Sequence, residues 1–281
     1  MKSRERVWKA LNHQEPDRVP LDSGSTTSTS IHAVAYNRLK RRLGVKGGET
    51  LVYDQIQGLA MPEQWFLDRF QVDVINIAHA FCDDPKEWVD WRWPDGSQSR
   101  IPAWNRIQKE GEAWVYRDAE GTVLGMMPPG GYFFDQRFWP LARADESEFA
   151  RLEQHLPRTV WRAITQPPWQ RASQPDFWQK LEAKARELYE KTDYALAVSA
   201  SGQLFEAAQF LLGTDNLMAD LALDRRRAEA LLDRIMELNI SATQKLMKAV
   251  GKYVQMVKIG DDLGMQTGPL ISPKMYREVF K

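Results

Sequence analysis

The chain has 281 residues, 43% hydrophobic and 27% charged, which admits one large globular domain or two small ones. Its 38 Lys and Arg balance its 38 Asp and Glu, so no net field favours nucleic acid or an anionic membrane. The single cysteine, Cys82, excludes an intrachain disulfide, and the charged stretch 1–10 lacks the apolar core of a signal peptide. No apolar run approaches the ~20 residues that span a bilayer, so a cytoplasmic protein is expected.

Ser3 opens a short helix carrying Val7, Ala10 and Leu11 on one side, and the polar turn from Asn12 to Asp17 ends it. The stretch 18–22 reads as a brief strand, because Pro20 cannot donate to a ladder. A loop of small hydroxyl residues, 23–30, leads into a helix over 31–43 that Gly44 closes. Lys40, Arg41 and Arg42 on that helix, like Arg225, Arg226 and Arg227 later, read as a solvated face. Pro62 starts a second helix, running to Phe70, which feeds a β-branched strand over 73–77.

Residues 81–140 break the alternation. They hold Trp88, Trp91, Trp93, Trp104, Trp114 and Trp139, with a hairpin expected from 113–116 and 122–125. This stretch reads as an insertion in the second βα connection, its tryptophans packing it onto the rest of the fold. Helices follow over 146–155 and 175–191, then a third strand over 194–200 and helices over 203–212 and 216–223. Asp224 caps a long amphipathic helix with Ala228, Leu231, Leu232, Ile235, Leu238, Ala242 and Leu246 on one stripe. A fourth strand over 253–259, a loop over 260–271 and a helix opened by Ser272-Pro273 complete the chain.

Strands alternating with helices predict parallel β/α units, and the lack of a Gly-x-Gly-x-x-Gly turn argues against a dinucleotide-binding sheet. A (β/α)8 barrel needs eight strands and typically ~250 residues plus insertions. The expectation is therefore an incomplete TIM-type barrel: a single domain over 1–281 holding about the first four β/α units, cut short at its C-terminus, with 81–140 inserted.

Two segments carry a family resemblance. The opening, from Ser3-Arg4-Glu5-Arg6-Val7 through Pro16-Asp17-Arg18-Val19-Pro20-Leu21-Asp22, resembles the start of the uroporphyrinogen decarboxylase-like superfamily, in its corrinoid methyltransferase branch. The segment Gly260-Asp261-Asp262-Leu263-Gly264 through Gln266, Gly268-Pro269-Leu270-Ile271-Ser272-Pro273 and Tyr276 is similar to a later stretch of the same group. Between them, Ser201-Gly202-Gln203-Leu204-Phe205-Glu206-Ala207 and Leu212-Gly213 are similar to the family's third-strand exit. The resemblance implies a barrel with its site at the carboxyl ends of the strands. It also implies a zinc held by one histidine and two cysteines that lie beyond this chain, so no metal ligand is carried over.

Residues that leave barrel strands face the substrate. Asp261 and Asp262 follow the fourth strand, and read as a general acid/base or a substrate anchor, or else as loop caps. Asp22 and Ser25 at the first exit, Ser199 and Gly202 at the third, and Gln266 are candidate substrate-binding residues. True uroporphyrinogen decarboxylases resemble one another through an arginine-rich loop after the first strand. This chain offers Asp22, Ser25, Thr26 and Thr27 there, a poor match for a polyanionic tetrapyrrole. His79 and Cys82 form an H-x-x-C pair with no third ligand in sight, and Ser199 and Ser201 lack a positioned base.

The leading expectation is a parent activity of methyl transfer between a methylcobamide on a corrinoid protein and a zinc-activated thiol or a folate. A uroporphyrinogen-type decarboxylase is the alternative. A third reading is an inactive fragment that binds a partner, or self-associates, through an open sheet edge.

Overall fold

A computed structural model describes residues 1–281. Its organising element is a three-stranded parallel sheet in the order Met256–Lys258, Ala195–Ser199, Val74–Asn76. The register pairs Ala195 with Val74, Ala197 with both Asn76 and Met256, and Ser199 with Lys258. Side chains alternate across a sheet, so Val74, Ala195, Ala197 and Met256 share one face, and Asn76, Ser199 and Lys258 continue that face towards the carboxyl ends. Val7, from the helix Ser3–Leu11, packs on its apolar lower part.

The opposite face is covered by two helices. Ile75, Leu196 and Val198 meet Phe177, Leu181 and Ala185 of Phe177–Lys191, and Leu246 and Val250 of Arg225–Val250. Both helices follow the apolar spacing of the sequence, and each fully buried leucine or phenylalanine contributes about 1.5–3 kcal/mol through removal from water. Asp224 caps the longer helix through the Arg227 N–H, as expected. Ala242, placed on the apolar stripe by spacing, is exposed. There the helix turns polar residues to the loop after Ala195–Ser199 instead: Thr243 Oγ1 donates to Ser201 O at 3.0 Å, and Asn239 Nδ2 to Gln203 O at 2.9 Å.

The expected barrel is not formed. Three strands, not four, make the parallel sheet, and the remaining β-structure divides among small separate antiparallel sheets. The stretch 18–22 lies beside the start of Val74–Asn76 without becoming a strand. Leu21 O accepts the Asp73 N–H at 2.7 Å, but the Leu21 N–H is taken by Asp73 Oδ2 at 2.8 Å, and Pro20 has no N–H. A carboxylate has taken the place of a ladder.

The region 81–140 is richer in strands than expected. Trp88–Arg92 pairs with Gln98–Pro102 around a turn at Gly96, where φ of +82° suits glycine. The expected hairpin is present as Ala113–Arg117 with Val123–Met127, flanked by Gln108–Glu110 and Asp135–Gln136. Trp91, Trp93, Met127 and Phe134 share one apolar cluster with Ala33, Tyr36, Val52 and Phe66, so these tryptophans pack the region onto the segment before it. No helix is long and apolar enough to cross a membrane.

Candidate functional site

The carboxyl ends of the parallel strands carry a polar layer above the apolar one. Asn76 caps the turn that follows its strand, accepting the Ala78 N–H at 2.8 Å, and donates to Ser25 O at 2.6 Å. That second bond brings the hydroxyl loop to the rim. Within the loop, Asp22 accepts the Ser25 hydroxyl at 2.6 Å and the Ser25 N–H at 3.1 Å, a local turn that uses most of its capacity. Ser25 is fully buried.

Across the rim, Asp261 serves the neighbouring helix Phe205–Leu212. Its carboxylate accepts the N–H groups of Leu204 at 2.9 Å, Phe205 at 2.7 Å and Glu206 at 2.8 Å. These are the orphan donors of a helix start, so Asp261 acts as a cap supplied from an adjacent strand exit. Asp262 is exposed. Glu206, half-buried on the first turn of the capped helix, is pushed up to about 7. Burial is the main cause, followed by the negative charges of Asp262 and Asp261, with Lys258 opposing them. Near neutral pH it is poised between acid and base.

A second group stands beside the Asn76 side. The Tyr53 hydroxyl is 2.7 Å from Ser30 Oγ, and the His79 ring centre is 4.8 Å from that of Tyr53. Burial pushes the Tyr53 phenol up and holds the His79 imidazole neutral, down to about 4; His79 Nε2 is buried without a hydrogen-bond partner. Asp54 is wholly buried and pushed up to about 6 by that burial, against the N–H groups of Gln57 and Ile56 and the side chains of Gln57 and Gln166. Gln166 Nε2 reaches Asp54 Oδ2 at 2.8 Å. Four residues earlier in the same connection, Arg162 Nη2 donates to Ser201 Oγ at 3.3 Å. No carboxylate lies within ion-pairing distance of Arg162.

The candidates from sequence therefore divide. Ser199 stands half-buried on the rim face with Lys258 as its register partner. Gly202 is closely approached: a Cβ there would come within 2.2 Å of Ile259 Cγ2, so that side chain would have to move. Asp22, Ser25 and Asp261 are engaged in holding loops and a helix end. Gln266 is exposed on the turn between Gly264–Met265 and Gly268–Pro269, and makes no side-chain hydrogen bond. Glu206, Asp54 and Arg162 were not singled out by sequence. Their properties come from burial and from neighbours far away in the chain, and only the strand-exit position of Glu206 gave a signal.

The ligands of the zinc that the resemblance implies are not among the residues of this chain. No group of three His, Cys, Asp or Glu side chains is arranged to hold an ion. Burial, then Glu87 and Asp83, pushes the Cys82 thiol up to about 12, and its Sγ turns to Ala78 O at 4.0 Å. Comparison with protein-family models, with curated proteins and with solved structures found no match to this chain.

Proposed function

We propose that this chain belongs to a small-molecule enzyme of the uroporphyrinogen decarboxylase-like superfamily. The parent activity is methyl transfer between a methylcobamide on a corrinoid protein and a thiol or folate acceptor. Glu206 exchanges the proton that the acceptor loses. The observation that carries the reading is the half-buried Glu206 carboxyl beside Asp261 and Asp262 where the parallel strands end, pushed up to about 7 by burial and those two charges. A cobamide brought to this rim would supply the methyl group, the electron pair of its bond to that methyl remaining with the cobamide. The acceptor's S–H or N–H proton passes to the ionised Glu206 carboxylate as the new bond to the methyl carbon forms. No step is assigned to zinc, given the donor set described.

A uroporphyrinogen-type decarboxylase is supported less well. The rim offers one unpaired guanidinium, Arg162, against the many carboxylates of a tetrapyrrole. A partner-binding reading is supported by the unpaired edge of Met256–Lys258, where Val257 and Ile259 are exposed. Size-exclusion chromatography over a range of concentrations tests it.

The enzymatic test incubates the protein with methylcobalamin and either a small thiol or tetrahydrofolate, following loss of the methyl–cobalt absorbance. The expected rate exceeds the uncatalysed background, rises through pH ~7 and falls by about 10²-fold or more in Glu206→Gln. A rate equal to background with both acceptors rejects methyl transfer. A pH-independent rate that survives Glu206→Gln rejects the role of Glu206.

A further inference from the structure

We propose that a cavity beside His79 binds a small uncharged alcohol, one hydroxyl on a compact apolar body. The site lies along the outer edge of Val74–Asn76, whereas Glu206 stands across the rim near Lys258, and it does not rest on the methyl-transfer reading. The cavity opens where 18–22 fails to form a strand. That stretch meets the edge strand at Asp73, through Leu21 O, and again at Asn76, whose Nδ2 holds Ser25 O. Gly24, Pro62, Leu67, Val74, Ile75 and Leu188 wall a cavity of about 120 Å³ there, with Asn76, His79 and Ala80. Apolar cavities of about 150 Å³ take up benzene, so this one suits a ring of that size or slightly smaller.

Two polar side chains belong to this wall. Asn76 is engaged on both sides, donating to Ser25 O and accepting the Ala78 N–H. His79 Nε2 is buried without a partner, which is costly for a nitrogen taken out of water. The other histidines are satisfied: His32 by the Val34 N–H and Tyr132 O, His155 by Glu148, and the exposed His13 by solvent. Gln55, Trp88, Trp91 and Gln170 also hold buried unpaired atoms, but none of them lines this cavity. No hydrogen bond fixes the His79 ring, so a turn about its Cβ–Cγ bond presents a nitrogen to a ligand. Burial keeps that ring neutral, with one donor and one acceptor nitrogen. A hydroxyl both donates and accepts, so it satisfies Nε2 in either tautomer, which an ether oxygen does not. Water fits less well, since it needs about two to four polar partners and only one wall side chain is unengaged. No cation lines the cavity, so a carboxylate or phosphate would shed its water for no partner.

The probes are cyclopentanol, the apolar cyclopentene and the charged cyclopentanecarboxylate, followed by methyl 1H–13C shifts and by the ring 15N signals of His79. Cyclopentanol is expected to bind saturably, shifting the methyl signals of Leu67, Val74 and Ile75 and moving one His79 nitrogen as a hydrogen bond forms. Cyclopentene should bind about fivefold or more weakly, and the carboxylate should not bind measurably. His79→Phe keeps an aromatic ring and should erase the preference for the alcohol. His79→Gln restores a hydrogen-bonding group and should recover part of that preference. Ala80→Leu fills the cavity and should abolish the binding of both uncharged probes. The proposal is overturned by equal affinity for cyclopentanol and cyclopentene, by a preference that survives His79→Phe, by a carboxylate that binds as tightly as the alcohol, or by no saturable binding to the wild-type chain. Where His79→Phe fails to fold, the wild-type chain still decides: an alcohol that binds without moving either His79 nitrogen signal overturns the proposal too.

Discussion

At the amino ends of the parallel strands, Asp73 is met by Arg6, Arg18 and the Leu21 N–H, whereas at the carboxyl ends Glu206 faces further carboxylates and Arg162 faces none. Asp73 has no exposed surface, because the arginine side chains cover it. Burial alone would raise its pKa, but the Leu21 N–H together with Ser3, Arg18 and Arg6 outweighs that and holds it below the ordinary carboxylate range. Asp54 and Glu206 are raised, to about 6 and about 7, because burial outweighs the hydrogen bonds to Asp54, and at Glu206 Lys258 only partly offsets burial and the charges of Asp262 and Asp261. One end of the sheet uses charge to hold the chain together. The other leaves charge incomplete, where a bound molecule would complete it.

The largest effect should come from breaking the paired end. Asp73→Asn leaves Arg18 without its carboxylate and Arg6 with Asp17 only, and should destabilise the fold by about 3–5 kcal/mol. Urea unfolding measures it as a lower midpoint at an unchanged slope. The stability that Asp73 supplies is present above the ordinary carboxylate pKa, near 4, and is lost as pH falls through its lowered folded value. The deficit of the variant should therefore shrink in acid. A loss below 1 kcal/mol at pH 7 would mean that this end is no better paired than the rim.

Asp54→Asn tests the opposite end with the opposite sign. A carboxyl raised on folding holds its proton more tightly folded than unfolded. Its contribution is fully present below the ordinary value, near 4, and is lost as pH rises through about 6. At pH 7.5 the wild-type chain bears that penalty and the asparagine variant does not. The variant should be more stable there by about 1–3 kcal/mol, with the gain vanishing near pH 4. Two variants that lose stability with the same pH profile would erase the contrast between the ends.

The contrast also separates what the sequence carried from what it did not. Apolar spacing placed Phe177–Lys191, Arg225–Val250 and the buried run Ala195–Ser199, because their packing faces are periodic. The same reasoning read 18–22 as a strand and counted towards a barrel, since nothing local reveals that Asp73, some fifty residues on, claims the Leu21 N–H. At the rim, the vicinal aspartates were visible as strand-exit residues, but which of them caps a helix depends on Leu204, Phe205 and Glu206, more than fifty residues earlier. Arg162 lies within the short helical turn Val160–Ala163, in an otherwise irregular connection with no period to mark it, and its lack of an ion-pair partner exists only in three dimensions.

The smallest effects divide Asp261 from Asp262. Asp261→Ala removes the acceptor of the N–H groups at the start of Phe205–Leu212, and should destabilise the fold by about 0.5–2 kcal/mol in urea unfolding. Asp262→Asn removes a charge that holds no helix end, so its stability should stay within about 0.5 kcal/mol of wild type. Its mark should appear on Glu206 instead. After burial, the Asp262 charge is the next cause that raises that carboxyl, ahead of Asp261, so removing it lowers the midpoint from about 7. Carboxyl 13C titration should place Glu206 lower in Asp262→Asn than in Asp261→Asn, which keeps an acceptor oxygen for the helix start. An unchanged Glu206 midpoint in both variants would make burial the whole cause, and the rim's raised acid a property of packing, not of unpaired charge.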